Sequence, residues 1–153
     1  MPGQFSGSAV INRPIDEVFS YLAAGTNDPN FSPRVQEIRK EPDGPSGLGT
    51  VFVSTVKDAG MTTRRRFELT DFQAPATIRW VERSKNLVTV TEGGYDLVDL
   101  GNSQTGVTIF NSFAGHGVGR LIAGFARKAA AKDADAMAQR IKTAVEGPRQ
   151  QQA

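Results

Sequence analysis

The sequence predicts an α+β fold in which a curved antiparallel sheet wraps around one long C-terminal helix. Strand-like segments follow one another from about Gly49 to Gly115 with no helical periodicity between them. A short amphipathic helix at Pro14–Leu22 and a long one from Val118 to Glu146 bracket that block. A sheet without crossover helices is antiparallel, and one long helix covers only one of its faces, so the core is a sheet closed on a helix. That arrangement leaves a hollow. The hollow is the leading clue to function, because the chain carries no metal, phosphate or nucleophile signature.

Phe5–Asn12 alternates small and apolar residues (Phe5, Gly7, Ala9, Ile11) and reads as the first strand. Pro14 follows in a first helical turn, where its missing N–H costs nothing, and Asp16 and Glu17 complement the helix dipole. Ile15, Val18, Phe19 and Leu22 form the apolar stripe of this helix. The breaker-rich stretch Gly25–Pro33 leads to a strand at Val35–Lys40, and Glu41–Gly47 is a loop. Further strands are expected at Thr50–Lys57, Thr62–Phe72, Thr77–Arg83, Leu87–Leu100 and Thr105–Ala114, each closed by Gly, Pro, Asn or Asp. The last helix carries Leu121, Ile122, Phe125, Ala129, Ala136, Met137, Ile141 and Val145 at three-to-four spacing. Gly147-Pro148 is expected to stop it and to leave Arg149–Ala153 as a frayed tail. Gly119 and Gly124 inside the helix point to a close approach or a bend.

With 153 residues the chain is expected to form one domain, over 3–147, large enough for a core without staples. It contains no Cys, which removes disulfides, thiol catalysis and thiolate metal sites, and no metal or other cofactor is expected. No stretch approaches the roughly 20 apolar residues that span a bilayer. A cytoplasmic protein without membrane insertion is the expectation. Eighteen Lys and Arg against sixteen Asp and Glu leave a net charge of +2, which gives nucleic-acid binding little support.

The run Ile11-Asn12-Arg13-Pro14-Ile15-Asp16-Glu17-Val18-Phe19-Ser20-Tyr21-Leu22 resembles the opening of the START-like, polyketide cyclase/dehydrase (SRPBCC) superfamily, the helix-grip proteins. The resemblance continues in Asp71–Trp80, Gly94–Leu97, Thr105–Thr108 and Arg140–Lys142, and so spans nearly the whole chain. It implies a seven-stranded antiparallel sheet around the C-terminal helix, two small helices, and an internal cavity for hydrophobic ligands. The functions implied are diverse, so fold does not settle activity.

Strand parity then says what lines the hollow. In Thr62–Phe72 the set Thr63, Arg65, Phe67, Leu69 is the more apolar one, and Arg64, Arg66, Glu68 and Thr70 form a solvated face. A hairpin at Gln73–Ala76 would set Leu69 opposite Ile78, Phe67 opposite Trp80 and Arg65 opposite Glu82, an inward ion pair. Val88 and Val90 continue that face and carry Glu92 inward, until Gly93-Gly94 kinks or bulges the strand. Val107, Ile109, Asn111 and Phe113 face inward from the last strand. The candidate ligand contacts are therefore Arg65, Phe67, Leu69, Trp80, Glu82, Glu92, Asn111 and Phe113, with Leu121 and Phe125 from the helix. The aromatic members double as ordinary core. His116, between two glycines, reads as a loop residue, and a hydrolase triad has no support.

Two function classes fit these residues. One is a carrier of a lipid, a polyketide intermediate or another apolar metabolite. The other is a cyclase/aromatase, with Arg65 and Glu92 as the candidate acid–base groups acting on a poly-β-ketone. The family's aromatase/cyclases project a serine and an arginine from the fourth strand, where this chain has Phe67 and Leu69, so the carrier is preferred. A co-chaperone-like module is a further alternative, and oligomeric state is left open.

Overall fold

The computed structural model describes residues 4–58, 60–86 and 88–152, without the side chains of 4, 5, 58, 121–127, 129–131 and 148–152. In chain order the elements are β1 (Gln4–Ile11), α1 (Ile15–Ala23), a 3-10 turn (Asp28–Asn30), β2 (Val35–Glu41), β3 (Val51–Asp58), β4 (Met61–Gln73), β5 (Thr77–Glu82), β6 (Val88–Gly101), β7 (Gln104–Gly115) and α2 (Gly119–Gln152). The strands form one antiparallel sheet in the order β1-β7-β6-β5-β4-β3-β2.

Geometry explains why this sheet leaves space. Seven strands spaced about 4.8 Å apart make a surface roughly 29 Å across, whereas a helix with its side chains is only about 10 Å wide. Helix α2 lies along β1 and β7 and touches β6. The concave face of β2 to β5 is left to the end of α1 and to the 3-10 turn, which packs on β2. On β1, a Cβ at Gly7 would run into the carbonyl of Ala134, so the backbones of strand and helix are in direct contact. Ala134, Ala138, Ile141 and Val145 form the buried face of the helix, and Ala136 is exposed.

The helix does not stop where expected. It continues through Gly147-Pro148 to Gln152, because Gly147 keeps a helical backbone rather than the left-handed one that would cap the end. It is fastened just before that point. Glu146 accepts hydrogen bonds from the Asn12 N–H (2.7 Å) and from Lys142 Nζ (2.6 Å), and Arg13 Nη2 donates to the Glu146 carbonyl (3.0 Å). Burial alone would raise the Glu146 pKa, but Lys142, Asn12 and Arg13 outweigh it and hold it below the ordinary value.

Two bulges set the strand registers. The β4–β5 turn closes with Gln73 opposite Thr77, and a bulge at Thr70 then separates the Phe72–Ile78 pair from the Leu69–Trp80 pair. The expected pairings are displaced by two residues: Leu69 faces Trp80, and Phe67 faces Glu82. Since an even displacement preserves the face, the inward set survives. The bulge also adds Phe72 to the inner side, where its ring meets Phe19 edge-on at 5.2 Å. In β6 the irregularity falls at Thr91, between the Val90–Phe113 and Glu92–Ser112 pairs, earlier than the glycine step. Parity flips there. Val88 and Val90 face the hollow, then Tyr95, and Glu92 is exposed instead of inward.

Candidate ligand cavity

A cavity of about 600 Å³ occupies the uncovered part of the concave face. Alternation on β4 supplies Thr63, Arg65, Phe67 and Leu69, facing Phe52, Ser54 and Val56 of β3. Ile78 and Trp80 come from β5, Val88, Val90 and Tyr95 from β6, and Ile109, Asn111 and Phe113 from β7. The far wall is the C-terminal end of α1 with the loop that follows, plus Met137 of α2. A smaller space of about 110 Å³ adjoins it between β7 and α2.

Three polar features interrupt this apolar lining. The first is the ion pair of Arg65 with Glu82, whose carboxylate is completely buried. Arg65 Nη1 donates to both Glu82 oxygens (3.0 and 3.1 Å) and to the Val88 carbonyl (3.2 Å). The Val90 N–H (2.9 Å), Ser84 Oγ and Asn86 Nδ2 (2.8 Å) supply the other donors to the carboxylate. A buried charge needs such a set. The second feature crosses three strands. Trp80, Gly93 and Asn111 are register neighbours, and Trp80 Nε1 donates to Asn111 Oδ1 at 3.3 Å across the glycine. A Cβ at Gly93 would collide with both groups, so the glycine makes room for the contact.

The third feature is Asp28, the first residue of the 3-10 turn. It lines the cavity, and among the described residues no hydrogen bond or ion pair reaches its carboxyl group. Burial pushes its pKa up from 3.8 to about 7, with no cation to offset it. Tyr95 stands near it and is buried, its ring edge-on to Trp80 at 5.0 Å. Burial, then the Asp28 carboxylate and the Tyr21 phenol, raise the Tyr95 pKa well above the ordinary phenol value. Arg34 also lines the cavity but acts on Asp133, which a hydrogen bond from Arg140 already holds low.

Of the residues expected at the ligand, Arg65, Phe67, Leu69, Trp80, Asn111 and Phe113 line the cavity. Glu82 lies behind Arg65. Glu92 is on the outer face, so it is corrected both as a contact and as an acid–base candidate. The side chains of Leu121 and Phe125 lie outside the described residues. His116 is a surface residue, its Nε2 2.9 Å from Thr89 Oγ1. Asp28, Tyr95, Ser54 and Asn86 were missed. Asp28 falls in a loop, where alternation gives no facing, and Tyr95 follows a bulge that composition does not mark. No group of three or more His, Cys, Asp or Glu side chains that could hold a metal occurs among the described residues, and none of their helices is long and apolar enough to cross a membrane.

A sequence model of the family described as polyketide cyclase / dehydrase and lipid transport matches residues 2–146. No curated protein matches the sequence. Among solved structures, the fold is similar to TTHA0849 from Thermus thermophilus, with TM-score 0.75, 13% identity, and 95% of this chain and 98% of that one covered. It is also similar to the ZhuI aromatase/cyclase from Streptomyces sp. R1128, with TM-score 0.72, 19% identity and coverage of 97% and 93%. The Polyketide_cyc-like protein Cgl2372 from Corynebacterium glutamicum gives TM-score 0.67, 19% identity and coverage of 99% and 97%. At these identities the likeness is one of fold.

Proposed function

The chain belongs to the polyketide cyclase/dehydrase and lipid transport family, and from that premise we propose that it binds an apolar small molecule, a lipid, polyketide intermediate or similar metabolite, without converting it. The observation that carries this reading is the cavity of about 600 Å³, of the size and character of small-molecule sites: concave, mostly apolar, with a few placed polar groups. Its ligand contacts are Arg65, Phe67, Leu69, Trp80, Asn111 and Phe113, with Glu82 holding Arg65 in place. Turnover of a poly-β-ketone has less support. The inward charges at the expected positions reduce to one ion pair whose carboxylate is fully engaged, and β4 offers Phe67 and Leu69 where the family's aromatase/cyclases have a serine and an arginine.

Nile red, a neutral dye whose emission reports apolar surroundings, should bind the native protein at micromolar levels. Its binding should quench or shift the fluorescence of Trp80, the only tryptophan. Native mass spectrometry of freshly purified protein should show a co-purifying small molecule. A protein that binds neither the dye nor any of a panel of fatty acids and polycyclic ketones would not be a carrier of this kind.

A further inference from the structure

We propose that the Asp28–Tyr95 end of the cavity is a hydrogen-bonding subsite for a neutral oxygen function, a ketone or a phenolic hydroxyl, rather than for ligands headed by a carboxylate. The inference rests on the cavity being the ligand site and specifies what that ligand carries. Its ground is a mismatch within one cavity. Glu82 is surrounded by donors, whereas Asp28 lines the same space with no hydrogen bond or ion pair among the described residues. Asp28 is half-buried, and a carboxyl group that faces a cavity without a partner gains a hydrogen bond once a ligand supplies one.

The surroundings select the kind of partner. Tyr95 of β6 is the titratable group on which Asp28 acts, and Tyr21 of α1 acts on Tyr95 as well. The charges further off are committed elsewhere: Arg140 to Asp133 on α2 (2.7 Å), with Arg34 acting on that same carboxylate, and Arg65 to Glu82. A ligand carboxylate placed here would leave water for a low-dielectric space where its donors are a neutral acid and a phenol, because the guanidiniums that line the cavity, Arg34 and Arg65, act on Asp133 and Glu82. An ammonium group would have to shed its water for a single counter-charge. A ketone or phenol loses little on entering, and the neutral acid beside the Tyr95 hydroxyl offers it both a donor and an acceptor. With the pKa raised to about 7, the acid form is half populated near neutrality. Binding that needs this form should weaken about tenfold from pH 6 to pH 8, as the competent fraction falls.

The test is displacement of bound Nile red by 2-naphthol, 2-naphthoate and 1-naphthylmethylamine at pH 6 and pH 8. In the wild type, 2-naphthol should bind about tenfold tighter at pH 6 than at pH 8 and tighter than the other two at pH 6. Asp28→Asn keeps a neutral donor and acceptor of the same shape, so it should bind 2-naphthol equally at both pH values. Tyr95→Phe retains the ring and should lose severalfold in 2-naphthol affinity at pH 6. The subsite is overturned alone if Nile red binds but 2-naphthol shows no pH step in the wild type, if the step persists in Asp28→Asn, or if the amine or the naphthoate is preferred. If the wild type does not bind Nile red, the cavity reading and the subsite both fail.

Discussion

Arg65 and Asp28 line one cavity and show opposite treatments of buried charge. The Glu82 carboxylate is held by one guanidinium and three neutral donors, so removing the guanidinium alone strands an anion that is fully buried. Arg65→Met should therefore lower stability by about 2–3 kcal/mol, below the full value for a buried pair because Arg65 is partly solvated. Adding Glu82→Gln should recover much of that loss, since the double variant leaves no unpaired charge. Urea unfolding of the two single variants and the double variant checks this, and strictly additive losses would contradict it. Asp28 is the reverse case. Its pKa in the fold, about 7, lies above the unfolded value of 3.8, so the folded state binds more protons between those limits. The stability this proton contributes is complete below about pH 4 and is lost as pH rises to about 7. Asp28→Asn should remove that slope and be the more stable protein at pH 8, measured as the urea midpoint across the range. An unchanged slope would mean that other groups cause it.

Strand alternation placed the inner residues of β7, and those of β4 up to Leu69, correctly, and it failed beyond a bulge, at Phe72 and at Glu92. Neither Thr70 nor Thr91 differs in composition from an ordinary strand residue, so the irregularities were invisible until the partner strand was seen. The Thr70 bulge did no harm to the reading of Arg65 and Glu82, because the register error was even. The Thr91 bulge reversed Glu92 and concealed Tyr95. Gly93-Gly94 drew attention to the right strand for a different reason. Its glycines make room for Trp80 and Asn111 on one side and for the Ile78 carbonyl on the other. Gly93→Ala should then force the indole aside, destabilise by about 2 kcal/mol as overpacked substitutions do, and shift the emission of the single tryptophan. An unshifted spectrum at wild-type stability would refute the contact. Glu92→Gln, on the outer surface, should leave Nile red affinity unchanged. Asp28 was missed because it lies in the loop after α1, where no periodicity tells which way a side chain points.

The fold follows from a disproportion that was legible in the sequence: many strands and one helix broad enough for only two or three of them. The cavity is the remainder, and filling it should favour stability over binding. Ser54→Leu puts an aliphatic group into the space from a buried position on β3, and it should hold or raise the thermal midpoint while weakening Nile red several-fold. Undiminished dye binding would place the ligand elsewhere. The contact between Gly7 and Ala134 bears on what such changes can do. Where α2 meets β1 the separation is fixed by main chain against main chain, with no lining side chain between them, although Ile109, the register partner of Gly7, lines the cavity. Lining side chains can therefore be exchanged without shifting that seam, so the same frame can be refitted for cargo of another shape while a single methyl group at position 7 would pry it apart.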